Sequence, residues 1–159
     1  MIRKLFLIWV LTVSVSAHAG LPGVLRWDVE QDLESTYVSV YNSLEENKFF
    51  VVFEPNIGRN LEGFSERWGK DYNRNRLSGI RSMAFCNAWY ANAISNIEPE
   101  LLSLCPLHIT LFQKGGTTSI VFSRPTHTGT GAGSKATALL KELEANVSKA
   151  IEAGIKTAP

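Results

Sequence analysis

"LHITLFQKGGTTSIVF" (residues 107–122) predicts two strands joined by a tight turn. Residues 107–112 and 117–122 are rich in β-branched and aromatic side chains, and Gly115-Gly116 lies between them. A glycine pair supplies the positive φ angles that a short hairpin turn needs. This stretch is therefore the best hairpin signal in the chain.

The chain before the hairpin alternates strand and helix patterns. Aromatic and β-branched residues predict strands over 24–30, 49–54 and 80–86. Apolar residues at three- and four-residue spacing predict a helix that begins after Asp32 as N-cap and stops at Asn47. The same spacing predicts helices over 61–72 and 88–97, and Glu98-Pro99 begins another short one.

The chain after the hairpin predicts a loop and one long helix. The loop covers 126–134, and the apolar stripe of the helix runs from Ala136 to Ile151, with an end at Gly154. The order β-α-β-α-β-α-β-β-α predicts a single α+β domain over 20–159, with helices packed on a mostly antiparallel sheet.

The first nineteen residues have the pattern of a signal peptide. Arg3 and Lys4 precede a short apolar run over 5–13, and small residues follow it up to Ala19. The run is shorter than the roughly 20 residues that a membrane crossing requires. We therefore expect export, with cleavage near Ala19/Gly20.

The charge of the exported chain is close to neutral. Without Arg3 and Lys4, 14 basic and 15 acidic side chains remain, a formal charge of −1. This balance gives no reason to expect a nucleic-acid partner, and no later apolar stretch is long enough to span a membrane.

Cys86 and Cys105 are the only cysteines in the chain. If the strands 80–86 and 107–112 pair in antiparallel fashion, the two side chains come close together. An oxidising compartment then favours a disulfide. Two unbridged thiols and a reversible redox pair remain as alternatives, although no Cys-X-X-Cys spacing is present.

His108 is the one candidate for a metal or haem ligand. It follows Cys105 in a Cys-X-X-His spacing, but a closed zinc site needs four ligands. Covalent c-type haem is excluded because the chain has no Cys-X-X-Cys-His motif. Non-covalent haem through His108 remains open, and we predict no cofactor.

Two further segments do not carry a recognised motif. The glycine loop 129–135 has Gly-Ser-Lys where a phosphate-binding loop has Gly-Lys-Ser/Thr. The basic and aromatic segment 66–76 is diluted by acidic residues, which predicts a solvated face. No catalytic residue can be assigned, and a non-enzymatic protein is favoured.

Four stretches resemble a known family. Residues 44–53, FCNAWYAN (85–92), EPELLSLCP (98–106) and KELEANVSKAIEAG (141–154) are similar, in this order, to the domain-of-unknown-function 302 (DUF302) family. The resemblance implies a compact α+β domain of TATA-binding-protein-like topology that forms homodimers. The two-cysteine form is similar to an exported bacterial subgroup, which implies a periplasmic location. The family has no established activity.

The sequence thus predicts an exported accessory or small-ligand-binding protein with a Cys86–Cys105 disulfide. The expected partners are a small ligand or a periplasmic protein, and a second copy of the chain. The predicted ligand-binding surface consists of four residues beside His108, namely Asn87, Trp89, Tyr90 and Asn92. A thiol-redox protein is the alternative, and metal or haem binding through His108 is the second alternative.

Overall fold

The structure, a computed structural model, describes residues 20–158, so the predicted signal peptide 1–19 lies outside the described residues. The chain forms one five-stranded sheet in the order β1-β5-β4-β3-β2, and all neighbouring strands are antiparallel. The strands are β1 (Val24–Val29), β2 (Phe50–Phe53), β3 (Gly79–Cys86), β4 (Leu107–Lys114) and β5 (Thr117–Ser123). The predicted α+β class is confirmed.

Six helices and two short 3-10 segments connect the strands. The helices are α1 (Leu33–Glu46), α2 (Ile57–Glu62), α3 (Ser65–Trp68), α4 (Ala88–Ile97), α5 (Pro125–Thr128) and α6 (Ser134–Thr157). The 3-10 segments are Gly69–Asp71 and Pro99–Leu104. The prediction that Asp32 is the N-cap of α1 is confirmed: its carboxylate accepts a hydrogen bond from the Ser35 N–H at 2.9 Å.

The predicted hairpin is confirmed. Lys114 pairs with Thr117, and the two turn glycines between them have φ angles of 58° and 88°. The antiparallel pairing of β3 with β4, on which the expected proximity of the cysteines depended, is present, with Phe85 opposite Leu107. This register brings the end of β3 next to the start of β4.

The hydrophobic core lies between one face of the sheet and the helices α1 and α6. Side chains that alternate along the strands, such as Phe85, Ile109 and Phe122, are buried against helix residues such as Leu44 and Leu140. The Ser43 hydroxyl donates to the Ala150 carbonyl at 2.7 Å, which ties α1 to α6. On the opposite face, the side chains that alternate with the core positions are mostly half-buried or exposed. Burial on one face only is typical of antiparallel sheets.

Three predicted element boundaries are wrong. The single helix over 61–72 is replaced by α2, α3 and a 3-10 segment, because Gly69 has a φ of 50° and none of these elements buries a side chain. The loop 126–134 contains most of the short helix α5. Helix α6 passes through Gly154 and ends at Thr157, since this glycine is packed against α1 and does not cap the helix.

No helix within residues 20–158 has both the length and the apolar character that a membrane crossing requires.

Candidate functional site

Cys86 and Cys105 lie next to each other. Cys86 is the last residue of β3, and Cys105 follows the second 3-10 segment. Their Sγ atoms are 2.7 Å apart, and both residues are free thiols in the structure. Burial, together with the neighbouring Cys105 thiol, raises the pKa of Cys86 to about 11. Cys86 is therefore protonated at neutral pH, whereas reactive redox cysteines have lowered thiol pKa values.

Asn87 and Tyr90 have contacts within the fold. The Asn87 side chain accepts hydrogen bonds from the N–H groups of Trp89 (3.0 Å) and Tyr90 (3.1 Å), so it caps α4. The Tyr90 hydroxyl donates to Glu142 at 2.8 Å and accepts from the Asn146 side chain at 2.7 Å. Both predicted ligand-binding side chains thus have structural partners.

The predicted surface does not enclose a ligand-sized cavity. The space beside the cysteines has a volume of about 20 Å³ and is lined mostly by apolar side chains. That is enough for about one water molecule. Trp89 is 60% exposed, Asn92 and His108 are also exposed, and none of the three lines this space.

His108 lies on the face of the sheet that the core does not use, opposite Ala84 on β3. Among residues 20–158, no three His, Cys, Asp or Glu side chains come together as ligands of a metal would. His108 and the two cysteines therefore do not form a joint cluster of ligands in the part of the chain described.

A much larger groove lies at the other end of β3. Its volume is about 620 Å³, and residues from 32–34, 56–62 and 72–81, together with Gln113, line it. One wall is the start of α1 and of β3, and the other wall is formed by residues in and around α2 and by residues 72–78. We call it the Arg81 groove, after the arginine side chain on the wall that α1 and β3 form.

Arg81 is held by two side chains of α1. Its Nη1 atom donates to Glu34 Oε2 at 2.6 Å, and its guanidinium carbon lies 4.1 Å from the centre of the Tyr37 ring. The Arg81 side chain is 21% exposed, whereas that of Glu34 is 63% exposed. The Tyr37 hydroxyl in turn donates to Glu54 Oε2 at 2.7 Å. The groove thus contains a largely buried cation in a fixed position.

The charge states of this group follow from their surroundings. Burial alone would lower the pKa of Arg81, but the hydrogen bond and negative charge of Glu34 outweigh it and raise the pKa. Burial, with Glu54 next to the phenol, raises the pKa of Tyr37. Arg81 is therefore a permanent cation, and Tyr37 stays neutral.

The sequence patterns did not identify this groove. The strand pattern over 80–86 is apolar apart from Arg81 and Ser82, and a charged residue inside such a run was the available signal. Glu34, the partner of Arg81, lies 47 positions earlier on another element, so periodicity could not pair the two residues.

The fold and the groove define a class of protein: a small α+β domain whose sheet is buried by helices on one face and has an open groove at one end. The family model for the domain of unknown function DUF302 matches residues 25–154, so the chain belongs to the DUF302 family. A comparison with curated proteins gives no match.

A solved structure has the same fold. It is the crystal structure of an uncharacterized conserved DUF302 protein from Bacillus stearothermophilus, with a TM-score of 0.71 and 18% sequence identity. The alignment covers 84% of this chain and 98% of that chain. At this identity, the likeness is evidence for the fold alone.

Proposed function

We propose that the protein is an exported accessory protein that binds a small ligand in the Arg81 groove. The observation that carries this proposal is a groove of about 620 Å³ around a fixed cation. Ligand sites in proteins have volumes of roughly 300–1,000 Å³ and a few well-placed polar groups. The space beside the cysteines, at about 20 Å³, is far below that range.

The composition of the groove suits a small polar ligand. Arg59 and Arg74 carry further positive charge, and Tyr72 combines an apolar ring with a hydroxyl group. Leu61 and Ile80 add apolar surface. A ligand can therefore bury an apolar part and satisfy a polar part at the same place.

The test is a fragment screen followed by amide chemical-shift mapping on uniformly labelled protein. We expect the shifts of bound fragments to concentrate on residues 32–34, 56–62 and 72–81. In Ser78→Trp, an indole placed on the groove lining should abolish these shifts. Ser103→Trp, at an exposed position outside the groove, is the matched control and should keep them.

Two results would contradict the proposal. One is a set of shifts centred on Asn87–Asn92 and His108, the surface predicted from the sequence. The other is binding that persists unchanged in Ser78→Trp, because the ligand would then lie elsewhere.

We also propose that Cys86 and Cys105 form a structural disulfide in the exported protein. The Sγ–Sγ contact of 2.7 Å and the expected oxidising compartment support it. The high pKa of Cys86, about 11, speaks against Cys86 as the attacking thiol of a reversible pair. Intact mass after alkylation, with and without prior reduction, tests this: two alkylated thiols in unreduced native protein would exclude the disulfide.

A homodimer is proposed through the face of the sheet opposite the core. Phe50 and Phe53 are 49% and 65% exposed, and Phe112 is half-buried on the same face. Apolar side chains exposed in this way are typical of interfaces. Sedimentation equilibrium of wild type and Phe53→Lys tests the proposal; a wild-type monomer at high protein concentration contradicts it.

Export to the periplasm, with cleavage near Ala19/Gly20, is proposed from the N-terminal sequence pattern. The intact mass of protein recovered from the periplasmic fraction should correspond to a chain that begins at Gly20. An uncleaved chain in the cytoplasmic fraction would contradict it.

A further inference from the structure

We propose that the Arg81 groove binds a small organic acid whose carboxylate takes the place of Glu34 on the Arg81 guanidinium. This inference rests on the proposed function, since it names the class of ligand for the same groove. Four features of the site support it: the fixed guanidinium, its incomplete pairing, the exposure of Glu34 and the balance of charge.

The guanidinium is held in place before any ligand arrives. The Tyr37 ring lies against it at 4.1 Å, and Tyr37 is itself 3% exposed. The Tyr37 hydroxyl is bound to Glu54 at 2.7 Å and to the Ser82 carbonyl at 3.3 Å. A cation that is already positioned loses little freedom when an anion binds to it.

The hydrogen bonding of Arg81 is incomplete. Its Nε atom is buried, and no acceptor within residues 20–158 contacts it. Buried polar groups in proteins nearly always have a partner. The guanidinium has five N–H donors in a planar fork, which matches the two oxygens of a carboxylate. Glu34 alone therefore does not complete the hydrogen bonding of the guanidinium.

Glu34 can be exchanged at low cost. Its side chain is 63% exposed, so its carboxylate returns to water when it leaves Arg81. Ion pairs with such an exposed partner contribute little to stability. Glu34 thus shields the cation in the free protein and can give way to a carboxylate from the groove.

The charges of the groove favour a ligand with one acidic group. Its lining carries three arginines and three carboxylates, namely Arg59, Arg74, Arg81, Asp32, Glu34 and Glu62. A polyphosphate would share the groove with these three carboxylates, and like charges repel in a partly buried site. A single carboxylate needs only the place that Glu34 vacates.

Binding is tested with benzoate, and benzamide is the uncharged control of the same shape. The readout is the Nε–Hε signal of Arg81 in a titration followed by NMR. We expect benzoate to move this signal in a saturable way and benzamide to leave it in place. Glu34→Gln removes the competing charge and should tighten benzoate binding by about two- to fivefold.

Three further arms complete the design. Glu46→Gln, an exposed glutamate at the far end of α1, should leave the benzoate affinity unchanged. Arg81→Gln should lose the preference for benzoate over benzamide, as judged from the amide signals of the groove. Inorganic phosphate is the third probe and should bind more weakly than benzoate.

The outcomes separate the two proposals. If benzamide binds in the groove as tightly as benzoate, the groove remains a ligand site and the inference about carboxylates is wrong. Weaker or unchanged benzoate binding in Glu34→Gln also overturns the inference, and so does phosphate binding tighter than benzoate. If Arg81→Gln does not fold, the Glu34→Gln variant and the benzamide control still test whether the groove prefers a carboxylate.

Discussion

The guanidinium carbon of Arg81 lies 4.1 Å from the centre of the Tyr37 ring, so a buried aromatic side chain supports the cation of the groove. The same tyrosine binds Glu54, beyond the end of β2, and the Ser82 carbonyl of β3. One residue of α1 therefore connects the core, the end of β2, the middle of β3 and the groove. Substitutions of Tyr37 can therefore separate the contribution of its hydroxyl group to stability from that of its ring, which supports Arg81.

Tyr37→Phe should lower the free energy of unfolding by about 1 kcal/mol, because the buried phenol loses its hydrogen bonds while the ring stays. Tyr37→Leu should lower it further, since the cation–π contact contributes about 0.5–1 kcal/mol on its own. Urea denaturation measures both values. Tyr41→Phe, a half-buried tyrosine on the same helix, is the control. An unchanged stability of Tyr37→Phe would show that water replaces the lost hydrogen bonds.

Much of the fold could be predicted because the local signals agree with the packing. Asp32 caps α1 as expected, and the glycine pair closes the hairpin as expected. The pairing of β3 with β4 could only be assumed from the sequence, and the structure contains it. The groove could not be predicted, since Glu34 and Arg81 meet only through the packing of a helix on a strand.

The disulfide prediction can be measured through stability. A bond between Cys86 and Cys105 would close a loop across 19 positions and should stabilise the fold by about 3 kcal/mol through the lost entropy of the unfolded chain. Urea unfolding with and without reductant should show this difference in wild type. The double variant Cys86→Ser with Cys105→Ser should unfold at the same urea concentration under both conditions. A reductant effect that persists in the double variant would refute the assignment.

Gly154 allows the close approach of α6 to α1. A Cβ atom at this position would lie 2.6 Å from Val40 Cα and 2.9 Å from the Ser39 carbonyl oxygen, both of them backbone atoms. Gly154→Ala should therefore destabilise the protein by about 1–3 kcal/mol, although alanine is the better helix former. Gly63→Ala is the control: its backbone has right-handed helical angles, and a Cβ would lie 3.5 Å from the Asn60 carbonyl oxygen, so the change should be neutral or slightly stabilising. Thermal unfolding measures both variants against wild type. A melting temperature of Gly154→Ala equal to that of the control variant would contradict the close contact.

The role of Gly154 shows why the end of α6 was predicted wrongly. Glycine is common just after a helix, so the pattern favoured an end there. Whether a glycine caps a helix or admits a neighbouring backbone depends on the partner helix, which local sequence does not contain. The packing of α1 determines the answer here.

Glu144 should make the stability depend on pH in the acid range. Its carboxylate on α6 accepts from the Arg124 side chain at 3.0 Å and from the Thr126 N–H at 3.1 Å, which ties the end of β5 to the helix. Burial alone would raise the pKa of Glu144, but the hydrogen bonds from Thr126 and Arg124 outweigh it and hold the pKa below the ordinary value of 4.5. A lowered pKa in the folded state stabilises the fold above the pKa of the unfolded state.

The contribution of Glu144 is therefore fully present at neutral pH and is lost as the pH falls through the folded-state pKa, below 4.5. At pH 7, Glu144→Gln should cost about 1–3 kcal/mol, because one buried partner of Arg124 and Thr126 loses its charge. The difference between wild type and variant should shrink steadily when urea unfolding is repeated at lower pH. The exposed control Glu46→Gln should show a small difference that does not vary in this way. A gap between wild type and Glu144→Gln that stays constant from neutral pH down to the acid limit would mean that the Glu144 carboxylate is not held in its charged form.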